Sequence, residues 1–256
     1  MATAAHLRAR IEAALSNRAP AAFALKIKQS PELFATGIAA ADAILEGGIP
    51  RGSITEISGA ASTGRTTFAL SIFSGITRSG ATCAWVDVHD ALSPESAAAA
   101  GVILERMLWL RTTSIPRLTS EKPWPRLEQA LKATDLLLQT GGFAAVVLDM
   151  GDLLPQQTMR IPLASWYRFR LAAEQARTAL ILLTQSPCAS SCSALVLRCE
   201  PAHSEAWSAS GKTSLFEGQH YTLIRERNRN EASACVRKKP PARADWHAQT
   251  EWTRVR

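Results

Sequence analysis

Nine residues, Gly59-Ala60-Ala61-Ser62-Thr63-Gly64-Arg65-Thr66-Thr67, constrain this chain more than any others. Two glycines five apart are followed at once by a long cation and a hydroxyl. The apolar run Ile54-Thr55-Glu56-Ile57-Ser58 precedes them, and a helix-forming stretch from Thr66 to Arg78 comes after. Strand, glycine-bounded loop and helix in that order make the pattern of a phosphate-binding loop, with arginine where the loop lysine stands. The glycines let successive N–H groups turn toward phosphate oxygens, and the helix N-terminus adds partial positive charge. Thr66 stands where a Mg²⁺-binding hydroxyl belongs, next to Thr67. Arg65 keeps the charge but brings a wide planar fork instead of a point charge. A plain Gly/Ser/Thr turn between strand and helix is the plainer reading of the same residues.

The rest of the chain supplies a sheet for that loop. Ala81 to Asp87, Met107 to Leu110, Phe143 to Asp149 and Ala179 to Gln185 read as strands. The last two are continuous apolar runs, as expected for strands covered on both faces. Helices are expected between them: one begins at Ser93-Pro94-Glu95, one spans Leu127 to Leu138 and stops at Gly141-Gly142, and one runs from Leu163 to Arg177. After Gln185 the alternation ends, and Ala194 to Cys199, His220 to Glu226 and Ser233 to Arg237 read as successive strands. The expected fold class is α/β, a mostly parallel twisted sheet flanked by helices with an antiparallel extension at one edge. The phosphate loop, Asp87, Asp149 and Gln185 all fall at strand C-terminal ends, where such sheets bind ligands.

Three regions are expected: an N-terminal helix and linker over residues 1–35, carrying Leu7, Ile11, Ala14 and Leu15 at helical spacing; a core over 36–237; and a basic, loosely ordered tail over 238–256. Pro31 to Gly52 reads as a connecting segment. Trp246 and Trp252, among the tail's lysines and arginines, suit stacking on single-stranded bases or anchoring a protein partner. The net charge of +7 favours acidic partners, nucleic acid foremost. No apolar run reaches membrane-spanning length, and Met1 to Arg18 is not a secretory signal. The five cysteines form no Cys-x-x-Cys pair and read as thiols of a reducing compartment.

These motifs, in this order, resemble the RecA recombinase family over about Thr36 to Asn230. Gly48-Ile49-Pro50-Arg51-Gly52-Ser53-Ile54-Thr55-Glu56-Ile57-Ser58-Gly59 is similar to the approach to that family's phosphate loop, and Trp85 to Pro94 to its acidic segment. The resemblance implies a RecA-like P-loop core with ATP and Mg²⁺ as cofactors. It places the nucleotide on Gly59, Gly64, Arg65, Thr66 and Thr67, the metal on Thr66 and Asp149, and a sensor of the terminal phosphate at Gln185. Arg227 and Arg229 stand where the family has two lysines that reach a neighbouring subunit's nucleotide. A solvated basic strand end is the plainer reading of that pair.

The departures shape the functional expectation. His89 occupies the place of a glutamate that orients the attacking water; a slipped register would put Asp87 or Asp90 there instead. The segment Ser186 to Ser193 and the loop near Pro155 to Arg160 are short beside the family's DNA-binding loops, and a large C-terminal domain is absent. A degenerate, shortened relative of this kind most resembles the ImuA group of bacterial translesion-synthesis cassettes. That implies an accessory role in SOS-controlled, error-prone DNA synthesis beside the Y-family-like subunit ImuB and an error-prone polymerase. Single-stranded DNA, RecA and further copies of the chain are additional partners, at a cytoplasmic, nucleoid-associated location. Two alternatives stay open: an active single-stranded-DNA-binding ATPase of the recombinase type, and an SOS-controlled regulator acting by protein binding alone.

Overall fold

A computed structural model describes His6 and residues 32–112, 124–201, 218–229 and 242–249. The chain divides into units 1–30 and 31–256, and the second holds the sheet and its helices. The expected N-terminal helix, the strand at Ser233–Arg237 and Trp252 lie outside the described residues.

An eight-stranded sheet organises the unit. In spatial order it runs β10 (Arg243–Gln249), β9 (Gly218–Asn228), β8 (Ser193–Pro201), β3 (Ile54–Ser58), β7 (Ala179–Thr184), β6 (Ala145–Asp149), β4 (Cys83–Asp87) and β5 (Met107–Arg111). From β8 to β5 every pairing is parallel, and β9 and β10 add antiparallel strands at the far edge. A separate antiparallel pair joins β1 (Leu33–Phe34) to β2 (Ile49–Pro50). The expected α/β class with an antiparallel extension is thus the observed one.

Strand alternation sorts the core into two layers. Along β6, Ala145 and Val147 face one layer, while Val146 and Leu148 face the other. Along β7, Ile181 and Leu183 oppose Leu180 and Leu182 in the same way. A continuous apolar run is what a strand covered on both sides requires. The first layer takes α1 (Ala39–Leu45) and α2 (Arg65–Arg78), through Ile44, Phe68, Ile72 and Phe73. The second takes α4 (Trp124–Thr140) and α6 (Leu163–Ala176), through Leu127, Leu138, Trp166 and Phe169. The short helices α3 (Pro94–Ala99) and α5 (Pro155–Thr158) lie in connections. Ser93 caps α3 as expected, its hydroxyl accepting the Ser96 N–H at 3.0 Å ahead of Pro94.

Two expectations need correction. The connecting segment Pro31–Gly52 contains α1, which packs on β10. The loose tail supplies a strand: β10 pairs with β9 in unbroken register from Arg243↔Ile224 to Gln249↔Gly218. Trp246 is only 8 % exposed and packs against Tyr221, with ring centroids 4.7 Å apart, and against Phe68 at 6.2 Å. It is therefore a core residue and is not presented to bases.

Candidate functional site

The parallel strands end on one rim, and the glycine loop crosses it between β3 and α2. Gly59 closes β3 by donating its N–H to the carbonyl oxygen of Thr184 at 3.1 Å, which ties the loop to the end of β7. A side chain at Gly59 would collide with the Cys199 carbonyl, 2.5 Å from an ideal Cβ. Within the loop, Thr63 Oγ1 donates to the Ala60 carbonyl at 2.8 Å. Gly64 caps α2 at φ +86°, a left-handed conformation that favours glycine. An ideal Cβ there would stand 2.6 Å from the Tyr221 ring, so the ring rests directly on the loop's second glycine. Ala60, Ala61, Ser62 and Thr66 are exposed and Thr67 is half-buried. The loop surface and the Thr66 hydroxyl are open to a ligand.

Arg65 is not. It is 8 % exposed, and its guanidinium points inward to the strand ends. Nη1 donates to the Thr184 carbonyl at 2.6 Å, and Nη1 and Nη2 share the Gly151 carbonyl at 3.4 and 3.3 Å. Gln185 Nε2 reaches the same Gly151 oxygen at 3.3 Å. The segment after β6 is thus held by two side chains at one carbonyl. Burial pulls the Arg65 pKa below its usual range, opposed first by Asp149.

Asp149 ends β6 and accepts the Gly151 N–H at 3.0 Å. Burial raises its carboxyl to about 6, with the Asp87 charge adding to the rise and Arg65 and the Gly151 hydrogen bond opposing it. Asp87, beside it on β4, is fully buried and committed. Its oxygens accept the N–H groups of His89 at 3.1 Å and Leu92 at 2.9 Å, with Trp109 Nε1 at 3.4 Å. Asp90, at φ +60°, pairs with Arg111 at 3.7 Å. His89 therefore sits on a turn shaped by Asp87, with its ring half-buried. Of the residues expected to act together, Arg65, Asp149 and Gln185 converge on Gly151.

Arg227 and Arg229 are placed apart from that group, over the segment joining β7 to β8. Arg227 Nη2 donates to the carbonyls of Ser190 at 2.5 Å and Ser193 at 3.4 Å, and Arg229 Nη1 to Ser191 at 2.5 Å. Beneath that segment lies a residue the sequence reading passed over. Glu56, in the middle of β3, is completely buried. One carboxylate oxygen accepts the N–H groups of Cys188 at 2.5 Å and Ala189 at 3.0 Å, and the other accepts the Ser193 hydroxyl. A glutamate on a central strand covered on both faces has no solvent-facing side, so its charge must be met by polar partners within the fold. The short 186–193 segment is fastened from below by Glu56 and from outside by two arginines.

Among the described residues no group of three His, Cys, Asp or Glu is placed to hold a metal ion by itself. The open loop and Thr66 fit a phosphate held largely by backbone. The inward Arg65 fits poorly with a charged phosphate that needs its cation facing it.

This rim and sheet order define a phosphate-loop α/β protein with a recombinase-type core. The family description "RecA N-terminal domain" matches residues 8–164, and the chain belongs to that family. RecA of Deinococcus radiodurans is 34% identical over 173 residues, covering 62% of this chain and 44% of that protein. RecA of Rubrobacter xylanophilus is 38% identical over 133 residues, 51% of this chain and 35% of that protein. The chain thus spans less than half the length of these relatives. A crystal structure of the RadB recombinase superposes with a TM-score of 0.56 at 16% identity, covering 85% of this chain and 96% of that one, and shares the fold.

Proposed function

We propose that the chain is a RecA-type scaffold serving as an accessory protein of damage-induced, error-prone DNA synthesis, with nucleotide hydrolysis lost or very slow. One observation carries the reading: the only long cation of the phosphate loop spends its donors on the carbonyls of Thr184 and Gly151. A misplaced catalytic group of about 1 Å costs on the order of 100-fold in rate. Here the group faces the protein interior. His89 in place of a glutamate supports the same conclusion, since neutral imidazole brings no fixed negative charge. The fastened 186–193 segment supports a fixed surface over a mobile DNA-gripping loop. The ImuA-group resemblance supplies the partner class, a Y-family-like subunit of the ImuB type and an error-prone polymerase, with single-stranded DNA and RecA as further partners. ATP and Mg²⁺, where bound, would rest on the Gly59–Gly64 backbone, Thr66 and Asp149.

The second reading is a working, DNA-stimulated ATPase. The open Thr66 hydroxyl and the Gln185 side chain at the rim favour it. Equilibrium binding of ATP beside steady-state hydrolysis, with and without single-stranded DNA, separates the two. The scaffold reading expects no DNA-stimulated turnover in the natural chain and a gain in the Arg65→Lys, His89→Glu double variant. DNA-stimulated hydrolysis by the natural chain overturns it.

A further inference from the structure

A surface helix ordinarily carries one apolar stripe. Helix α6 carries two. Trp166, Phe169 and Ala173 are buried in the layer it shares with α4 and the sheet. Leu163, Tyr167 and Leu171 form a second row, four residues apart, and are 53, 53 and 47 % exposed. Met159, 70 % exposed, lies on the turn that leads from α5 into α6 and is not part of that helical row. Single exposed leucines are ordinary on protein surfaces, but a continuous row of large apolar side chains marks an interaction site.

The row's geometry and flanks describe its occupant. Side chains at four-residue intervals form the ridge that seats in the groove of a crossing helix. Its leucines offer no stacking plane, so successive nucleic-acid bases would find an aromatic partner only at Tyr167. The flanks are mostly basic: Arg160 and Arg170 have no side-chain partner among the described residues, and Arg168 reaches Asp135 on α4 at 3.1 Å. Glu174 is the acidic exception. We infer that the Leu163–Leu171 ridge docks an amphipathic α-helix of a protein partner, apolar along one seam and acidic at its borders. The inference rests on reading the chain as a partner-binding scaffold and gives that scaffold a surface.

A displayed library of 20-residue amphipathic helices, with varied seams and flanks, selected against the full chain tests it. The expected peptides share leucine-type residues at i and i+4 with Asp or Glu alongside. They lose at least 10-fold in affinity to Leu163→Glu and to the milder Tyr167→Ser, while both variants keep the natural unfolding midpoint. Three results overturn the inference: no enrichment, peptides that bind the variants as well as the natural chain, or acidic flanks absent from the winners. A ridge variant that instead dissociates a dimer in sedimentation, or that loses fluorescein-labelled single-stranded DNA with peptide binding intact, assigns the ridge to a second copy or to nucleic acid. The ATP turnover assay is independent, so a failed ridge and a failed scaffold reading are told apart.

Discussion

Arg65 Nη1 stands 2.6 Å from the carbonyl oxygen of Thr184, the same oxygen that accepts the Gly59 N–H at 3.1 Å. Both ends of the phosphate loop are therefore pinned to the last residue of β7, one by backbone and the other by a side chain. A lysine has one nitrogen to offer in place of the guanidinium's fork, which here spans the carbonyls of Thr184 and Gly151.

Arg65→Ala should therefore weaken the fold. It removes charged hydrogen bonds to two carbonyls and the cation beside Asp149. We expect a loss of about 2 kcal/mol, read as a drop in thermal midpoint of about 4–8 °C for a chain of this size. An unchanged midpoint would mean that the guanidinium does not hold the strand ends together.

Asp149 makes the stability depend on pH. Its carboxyl is raised from 3.8 to about 6 in the folded chain, so the folded state binds a proton that the unfolded chain releases earlier. Below pH 4 both states are protonated and the group costs nothing. The contribution of Asp149 to stability should fall as pH rises from about 4 to 6, by on the order of 3 kcal/mol, and then level off. Asp149→Asn removes that contribution. The stability difference between the variant and the natural chain, from urea unfolding in chelator at several pH values, should widen in favour of the variant over the same window.

Glu56 predicts a severe local lesion. Glu56→Ala leaves two N–H groups and the Ser193 hydroxyl without their acceptor, for a loss of about 3–5 kcal/mol. Glu56→Gln, with one acceptor oxygen left, should cost less, about 1–3 kcal/mol. Hydrogen exchange at the amides of Cys188 and Ala189 should speed up ahead of the sheet's. Uniform exchange rates would mean that the 186–193 segment has other anchors.

Gly64 and Tyr221 should couple. Gly64→Ala places a methyl 2.6 Å from the Tyr221 ring edge at a left-handed φ, for about 2–4 kcal/mol. Adding Tyr221→Ala should recover the steric part, so the double variant loses less than the sum of the two single losses. Strict additivity in urea unfolding would show that the ring does not bear on the loop.

Much of the fold was legible because burial on both faces writes a continuous apolar run, as in β6 and β7, and because the glycine loop needs a strand before it and a helix after it. The rim residues Asp87, Asp149 and Gln185 could be placed from those runs alone. The direction of the Arg65 side chain could not, since it is set by carbonyls of Thr184 and Gly151 that lie 119 and 86 residues away in sequence. Glu56 was hidden by its neighbours: a lone charge in a short strand reads as solvent-facing until flanking strands and the 186–193 segment cover it. The β10 strand was masked by the prolines and basic residues ahead of it. Its alternation of Ala244 and Trp246 inward with Asp245 and His247 outward is the ordinary signature of an edge strand.

The burial of Trp246 changes what a truncation would report. Phe68 on the phosphate-loop helix touches Trp246, Trp246 lies against Tyr221, and Tyr221 rests on Gly64. Residues 243–249 are thus the outer end of a mechanical linkage whose inner end is the loop itself. Cutting the chain at residue 238 would take away an edge strand and slacken the glycine-loop rim together, so lost DNA or partner binding in such a truncation would measure that slack as much as the removed charges. Charge reversals at Arg243 or Asp245 would pull on the same linkage, since Asp245 accepts the buried Thr222 hydroxyl of β9 at 2.6 Å and Arg243 donates to that hydroxyl at 3.3 Å.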